Sequence, residues 1–169
     1  IAMGYAGEMD YLKRNIEKRG DVTKIVPGAQ SVICLGMEYL QPSHENYSST
    51  EGRFASYARG DDYHEVIKKR LFELWEFIKS EKKDVSGRVY VDTAPVLERE
   101  LAQRAGIGWT GKNTCIINKN CGSFFFLSEI VSTLKLPPDE PATDHCGTCT
   151  KCIDACPTDA FPEPYVMNA

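Results

Sequence analysis

Four cysteines packed into one short run constrain this chain more than any other feature. The segment reads Cys146-Gly-Thr-Cys149-Thr-Lys-Cys152-Ile-Asp-Ala-Cys156-Pro157. This is the C-x2-C-x2-C-x3-C-P spacing of bacterial-type ferredoxins. Two-residue gaps let three thiolates wrap one cubane, and small residues let backbone N–H groups approach the sulfides. Pro157 then turns the chain away. Four thiolates also suit zinc, but zinc sites usually pair two C-x2-C knuckles across a long gap, whereas this is one continuous run. Cys146, Cys149, Cys152 and Cys156 are therefore expected to ligate [4Fe–4S] clusters. In two-cluster proteins the fourth cysteine serves the other cluster. The remaining ligands are then expected beyond Ala169, and the chain is expected to be a piece of a longer protein.

Seven cysteines in all, an odd number without a secretion signal, argue against a disulfide framework and for a reducing, cytoplasmic setting. Cys34, Cys115 and Cys121 are expected to be buried structural thiols. No run of apolar residues is long enough to span a membrane. A net charge of −4, from 20 basic and 24 acidic side chains, supplies no basic footprint for nucleic acid.

Upstream of the cysteines, apolar periodicity predicts the elements. Residues 8–19 predict a short helix, with Met9, Leu12 and Ile16 on one side and Gly20 as its cap. Residues 30–40 predict a buried strand. Residues 41–60 predict a long loop suited to binding. Residues 62–80 predict the clearest helix, with Ile67, Leu71, Leu74, Trp75 and Ile78 forming one stripe. Residues 88–93 predict a strand. A helix follows, beginning near Pro95 and running over 96–105. Residues 114–119 and 122–131 predict two more strands, with Phe124 to Phe126 in the core. Residues 136–144 form a Pro-rich acidic linker. The order implies one layered α/β (α+β) domain over 1–135, then a small cysteine-rich module over 136–169.

The stretch GIGWTGKN (106–113) matches the dinucleotide fingerprint G-x-G-x-x-G and nearly matches a P-loop. Both need a strand before and a helix after. Here a helix precedes and β-prone residues follow, so neither nucleotide reading stands. A helix cap followed by a turn explains the glycines. A glycine-rich loop closing on another large, flat ligand would do so too.

Several stretches together resemble the epoxyqueuosine reductase family. They are EMDYLKRN (8–15), YARGDDYH (57–64), VDTAPVLERELAQRAGIGWTGKN (91–113), GSFFFLSEI (122–130) and DHCGTCTKCIDACPTDA (144–160). The resemblance implies a cobalamin-binding domain similar to that of reductive dehalogenases, followed by a ferredoxin-like module with two [4Fe–4S] clusters in the whole protein. It implies reduction of epoxyqueuosine to queuosine at the wobble position of tRNA. Reduced cobalamin would attack the epoxide, with electrons coming through the clusters from a low-potential donor. It implies that Asp92, in the D-T-x motif, protonates the departing oxygen. That role needs a carboxyl whose pKa is raised, most simply by burial against the corrin. An Asp that merely caps the following helix is the plainer alternative. Cobalamin contacts are expected from Arg14, Tyr57, Tyr63, His64, Asp92, Trp109, Lys112, Asn113 and Ser123. Asp62 is expected at least to cap the main helix. A monomer with no membrane partner is expected. A reductive dehalogenase-like reductase and a non-catalytic electron carrier are the competing readings. The carrier leaves the first 135 residues unexplained, and a dehalogenase would more often carry an export signal.

Overall fold

A computed structural model describes residues 3–40, 52 and 54–169. Its frame is a three-stranded antiparallel sheet in the order β1-β5-β2, built from β1 (Ser31–Glu38), β2 (Gly87–Tyr90) and β5 (Phe125–Ser132). β5 is central and is the most buried strand, with Ser128 to Ser132 all shut away from solvent. The β1–β5 register runs from Ser31 opposite Ser132 to Glu38 opposite Phe125. β2 pairs from Gly87 opposite Ser132 to Tyr90 opposite Glu129.

Pleating sends alternate side chains to opposite faces. Ile130 points to one face, where helix α2 (Tyr63–Glu81) lays down Ile67, Leu71 and Trp75; Val91 completes this core, and Ile33, Leu35, Val89 and Phe126 pack at its margins. Asp62 caps α2, its side chain accepting from the His64 N–H, as expected of that residue. Glu129 points to the other face, covered by helix α3 (Glu98–Arg104). The layered α/β expectation therefore holds, in its α+β form, because the sheet has no parallel pair.

Elsewhere the elements depart from the periodic reading. Residues 8–19 do not form one helix. A 3-10 turn (Asp10–Lys13) is followed by a short α1 (Ile16–Gly20), and Asn15 between them is left-handed at φ 57°. Ile16 is exposed, so the apolar stripe there has no sheet face to cover. α3 begins at Glu98, three residues after Pro95. The strand expected over 114–119 shrinks to β4 (Ile116–Ile117), paired with β3 (Trp109–Thr110) in a small hairpin. Phe124 is exposed and Phe125 and Phe126 are half-buried, so of that run only Phe126 packs against the core, at its margin. Cys115 is exposed, against the expectation of a buried thiol. Most of the loop expected over 41–60 lies outside the described residues.

The cysteine segment lies against the rest of the chain. Ala142 N–H donates to the Gln103 carbonyl, Tyr165 N–H to the Lys112 carbonyl, and Ala169 N–H to the Tyr5 carbonyl. A last short helix, α4 (Lys151–Asp154), holds Cys152.

Candidate functional site around Asp92

β2 ends at Tyr90, and the backbone then folds into a left-handed bend at Asp92, φ 56°. Such a conformation is strained for a side chain bearing Cβ, and persists only where its surroundings fix it. Two bonds do so. The Asp92 N–H donates to Glu98 Oε1 at 2.7 Å, so the first residue of α3 reaches back and grips the bend. On the other side, Tyr63 Oη donates to Asp92 Oδ2 at 2.9 Å. Tyr63 is the first residue of α2 and stacks face to face on Phe126, ring centroids 4.0 Å apart. Burial, and then the bond to Asp92, pushes the Tyr63 phenol up to about 12, so it stays a hydroxyl donor.

His64 stands beside them. Its Nδ1 contacts Asp62 Oδ1 at 2.8 Å, and its Nε2, buried with no hydrogen-bond partner among the described residues, lies 3.5 Å from Asp92 Oδ2. Asp92 is thus no helix cap: α3 has Leu97 at its N-cap and no capping side chain. Nor is Asp92 buried by its own chain, since its side chain is 59% exposed. Its place past a strand end does not follow from the rule for open parallel sheets, because this sheet is antiparallel.

Asp92, Glu98 and Arg99 line two cavities at once. One, of about 750 Å³, is bounded by Tyr11, Leu12, Arg19, Val96 and Thr110. The other, of about 270 Å³, is bounded by Tyr63, Cys115, Ser123, Phe125 and Phe126. The larger is within the usual size for a small-molecule site. Arg19 Nε is buried at its wall without a partner among the described residues. An acid on the partition between two cavities can serve a ligand in either.

Behind Asp92 lies a feature that the sequence reading missed. Glu129 is fully buried in the central strand, and among the described residues neither carboxylate oxygen has a hydrogen-bond partner among N–H and O–H donors. The group facing it is the carboxyl of Glu98. Burial, then mutual repulsion, pushes Glu129 up to about 9, and burial pushes Glu98 up to about 7. Cys34, opposite Glu129 on β1, is pushed up to about 12 by burial and by Glu129, which keeps it an inert thiol. A glutamate interrupting the apolar run FFLSEIV is the signal that could have revealed the pair.

The other expected contacts divide. Ser123 reaches the smaller cavity, though its Oγ donates to the Ile116 carbonyl. Tyr57 and Arg14 are exposed and line neither cavity. Lys112 is buried, and its Nζ donates to the Gly147 carbonyl at 2.7 Å, which ties the glycine-rich turn to the cysteine loop. Asn113 Oδ1 accepts from the Cys115 N–H. Trp109 meets the His145 ring edge-on, and its Nε1 is buried without a partner. The glycine-rich turn itself closes on the chain. Gly106 follows the end of α3 in a left-handed conformation, φ 74°, as a helix cap should, and a Cβ on Gly108 would sit 2.3 Å from the Ile117 carbonyl oxygen. β4 occupies the space that a phosphate would need.

In the cysteine loop, Asp144 accepts from the Cys146 N–H and from Tyr165 Oη, and the Cys149 N–H bonds the Cys146 carbonyl. Cys156 Sγ receives the Ala160 N–H at 3.4 Å. Backbone N–H groups of Thr158 and Ala160 hold this thiol below its ordinary range. A sulfur that collects backbone N–H groups is suited to a thiolate ligand. Among the described residues, no three His, Cys, Asp or Glu side chains converge on a point for one metal ion.

An acid on a strained bend between cavities, joined to a cysteine run of ferredoxin spacing, defines the class: an α+β domain that brings a candidate acid and candidate thiolate ligands into one chain. The chain belongs to the epoxyqueuosine reductase family. The family model described as "Epoxyqueuosine reductase QueG, DUF1730" matches residues 19–93. An epoxyqueuosine reductase of Cyclobacterium marinum is 48% identical over 97% of this chain and 53% of its own length. A crystal structure of epoxyqueuosine reductase with an epoxyqueuosine-modified tRNA-Tyr stem loop superposes with a TM-score of 0.90 at 36% identity, over 99% of this chain and 45% of that one. A Bacillus subtilis epoxyqueuosine reductase with its catalytic Asp loop swung out of the active site superposes at 0.89 with 34% identity, over the same 99% and 45%. The chain thus spans about half the length of the curated relatives it matches.

Proposed function

We propose that the protein carrying this chain reduces epoxyqueuosine to queuosine at the wobble position of tRNA, with Asp92 as the acid. The observation that carries the reading is the bend at Asp92, held in a left-handed conformation on the partition between two cavities. A relative whose catalytic Asp sits on a loop able to leave the active site supports it.

Cobalamin fits the residues present. The larger cavity carries an unpaired buried Arg19 Nε, suited to a polar substituent of the cofactor, and Thr110 stands nearby. The smaller offers aromatic faces at Phe125 and Phe126 and the hydroxyls of Tyr63 and Ser123. When bound, cobalamin supplies the electron-rich metal centre for opening an epoxide. The chain supplies the proton. Asp92 holds it at Oδ2 or its partner oxygen, and delivers it to the epoxide oxygen as the carbon–oxygen bond breaks. Tyr63 Oη fixes the direction of the carboxyl, and His64 Nε2, facing the same oxygen, is placed to return a proton afterwards. A corrin over Asp92 would bury a side chain now half in solvent, and so favour its protonated form.

Cys146, Cys149 and Cys152 supply three ligands of one [4Fe–4S] cluster and Cys156 one of another. Residues 1–135 form the cobalamin-binding domain and 136–169 open the ferredoxin-like module. A low-potential donor reduces the clusters. The protein acts as a cytoplasmic monomer, in keeping with an odd number of cysteines that suits a reducing compartment.

The test is direct. The protein, loaded with iron, sulfide and cobalamin under a low-potential reductant, converts epoxyqueuosine-tRNA to queuosine-tRNA. Asp92→Asn retains cobalamin and loses roughly 10²-fold or more of its turnover. Undiminished turnover by Asp92→Asn would remove the residue from the acid role.

A further inference from the structure

Glu129, fully buried, and Glu98, half-buried on the cavity wall, form an acidic pair directly behind the Asp92 bend, and neither has a role in the chemistry above. Glu129 has no exposed surface at all, on the central strand of the sheet. A lone carboxylate there would be unsustainable, because a buried charge with neither a counter-charge nor a donor costs several kcal/mol. Among the described residues no lysine or arginine bonds it, and neither of its oxygens has a hydrogen-bond partner among ordinary donors. The group that it meets is another carboxyl, Glu98. Two carboxyls can bond to one another only if one carries a proton. Glu98 Oε1 in turn accepts the Asp92 N–H at 2.7 Å.

We infer that Glu129 and Glu98 share a single proton, and that this pair is the positioning device of Asp92. Glu129 donates its O–H to Glu98, and Glu98, left as the carboxylate, accepts the Asp92 N–H. A charged acceptor holds an N–H roughly twice as strongly as a neutral one, so the negative charge on Glu98 matters to the strained bend. Both partners are needed. Without the proton on Glu129, two carboxylates face each other and the grip opens; without Glu98, nothing described holds the Asp92 N–H.

The groups facing the pair come from every element packed around it. Asp92 from the β2 exit adds negative charge, and Arg99 from α3 offsets it. Cys34 from β1 and Tyr90 from β2 lie opposite Glu129 in the register, and burial keeps Cys34 a neutral thiol. The burial of Glu129, its unpartnered oxygens among the described residues, the packing of α3 on β5 and the Glu98 bond to Asp92 carry the geometry, and the raised carboxyl pKa values agree with it.

The positioning role rests on the reductase reading; the shared proton does not. Isotope-edited infrared spectra of the wild-type protein, with 13C-labelled glutamate, should show a protonated glutamate carboxyl at pH 7, absent in Glu129→Gln. Hydrogen exchange over residues 91–97 should be unchanged in Glu129→Gln, whose amide N–H replaces the lost O–H. It should quicken roughly ten-fold in Glu98→Met and in Glu129→Met. In turnover, the wild type should lose activity as the pair deprotonates above neutral pH, and Glu129→Gln should lack that alkaline fall. No protonated glutamate at pH 7, or equal exchange in Glu129→Met and Glu129→Gln, would overturn the shared proton. An alkaline fall that survives in Glu129→Gln would overturn the positioning role. A wild-type protein that shows the band and the protection but never reduces epoxyqueuosine-tRNA would sink the reductase reading instead, and leave the pair standing.

Discussion

Asp92 keeps a conformation that a glycine would adopt more easily. Its φ of 56° costs on the order of 1 kcal/mol for a residue of this kind, and the bend is retained because it aims the carboxyl at both cavities. The expected trade-off is measurable. Asp92→Gly should unfold at equal or higher denaturant concentration than the wild type, by up to about 1 kcal/mol, while losing turnover completely. A destabilised Asp92→Gly would mean that the side-chain bond from Tyr63 outweighs the backbone strain. Tyr63 is the second residue to test. Tyr63→Phe removes only the hydroxyl that donates to Asp92 Oδ2 and keeps the ring stacked on Phe126. A lost bond to a carboxylate of this exposure predicts a fall of roughly ten-fold in kcat with KM little changed. Steady-state kinetics separates the two constants.

Among the elements, α2 was legible because its apolar residues recur at helical spacing and meet a sheet face that needs them. The structure buries Ile67, Leu71 and Trp75 there. Leu71→Ala should cost roughly 2–5 kcal/mol in urea unfolding, since the cavity opens against the fully buried Ile130. Residues 8–19 carry a similar spacing and do not form one helix, because periodicity reports only that a face could be buried, not that a partner is present. The two-residue strands β3 and β4 fall below any length at which β-propensity is informative; what fixes them is the close approach of Gly108 to Ile117. The candidate site was half legible. Asp92, Tyr63 and His64 came from motif residues and do meet. Lys112 and Asn113 came from the same kind of argument, yet bond within the chain, because a motif gives residue identity without direction. The Glu98 bond to a backbone N–H leaves no mark on a sequence pattern. Lys112 suggests an element-scale test of its own. Its bond to the Gly147 carbonyl braces the cysteine loop against the glycine-rich turn, so Lys112→Met should lower the iron bound per chain, read by absorbance and iron assay, with little change in fold by circular dichroism.

For the whole molecule, the Glu98–Glu129 pair sets an unusual dependence of stability on pH. In the unfolded chain both carboxyls titrate near 4.5; folded, they are raised to about 7 and about 9. Across that interval the native state binds more protons than the unfolded state, so the free energy of unfolding falls as pH rises. The contribution is complete below the unfolded value and is lost as pH climbs through the folded values. Exposed carboxyls act in the opposite sense. Asp62 and Asp144 are held below their ordinary range, each chiefly by a hydrogen bond it accepts, and stabilise the fold only above it. Being exposed, they are screened and shallow, whereas Glu129 is buried in the central strand and Glu98 is half-buried on α3. The pair's contribution should therefore fall from about pH 4.5 upward, most steeply up to about 7 where the folded protein holds both extra protons, and less steeply along an alkaline limb from about 7 to about 9, which urea midpoints measured across that range would show. Glu129→Gln should flatten that limb while leaving the acid side unchanged. An alkaline limb of equal slope in wild type and variant would place the titrating group elsewhere, most directly at a cysteine or tyrosine, and the same samples with Cys34→Ala would separate those two.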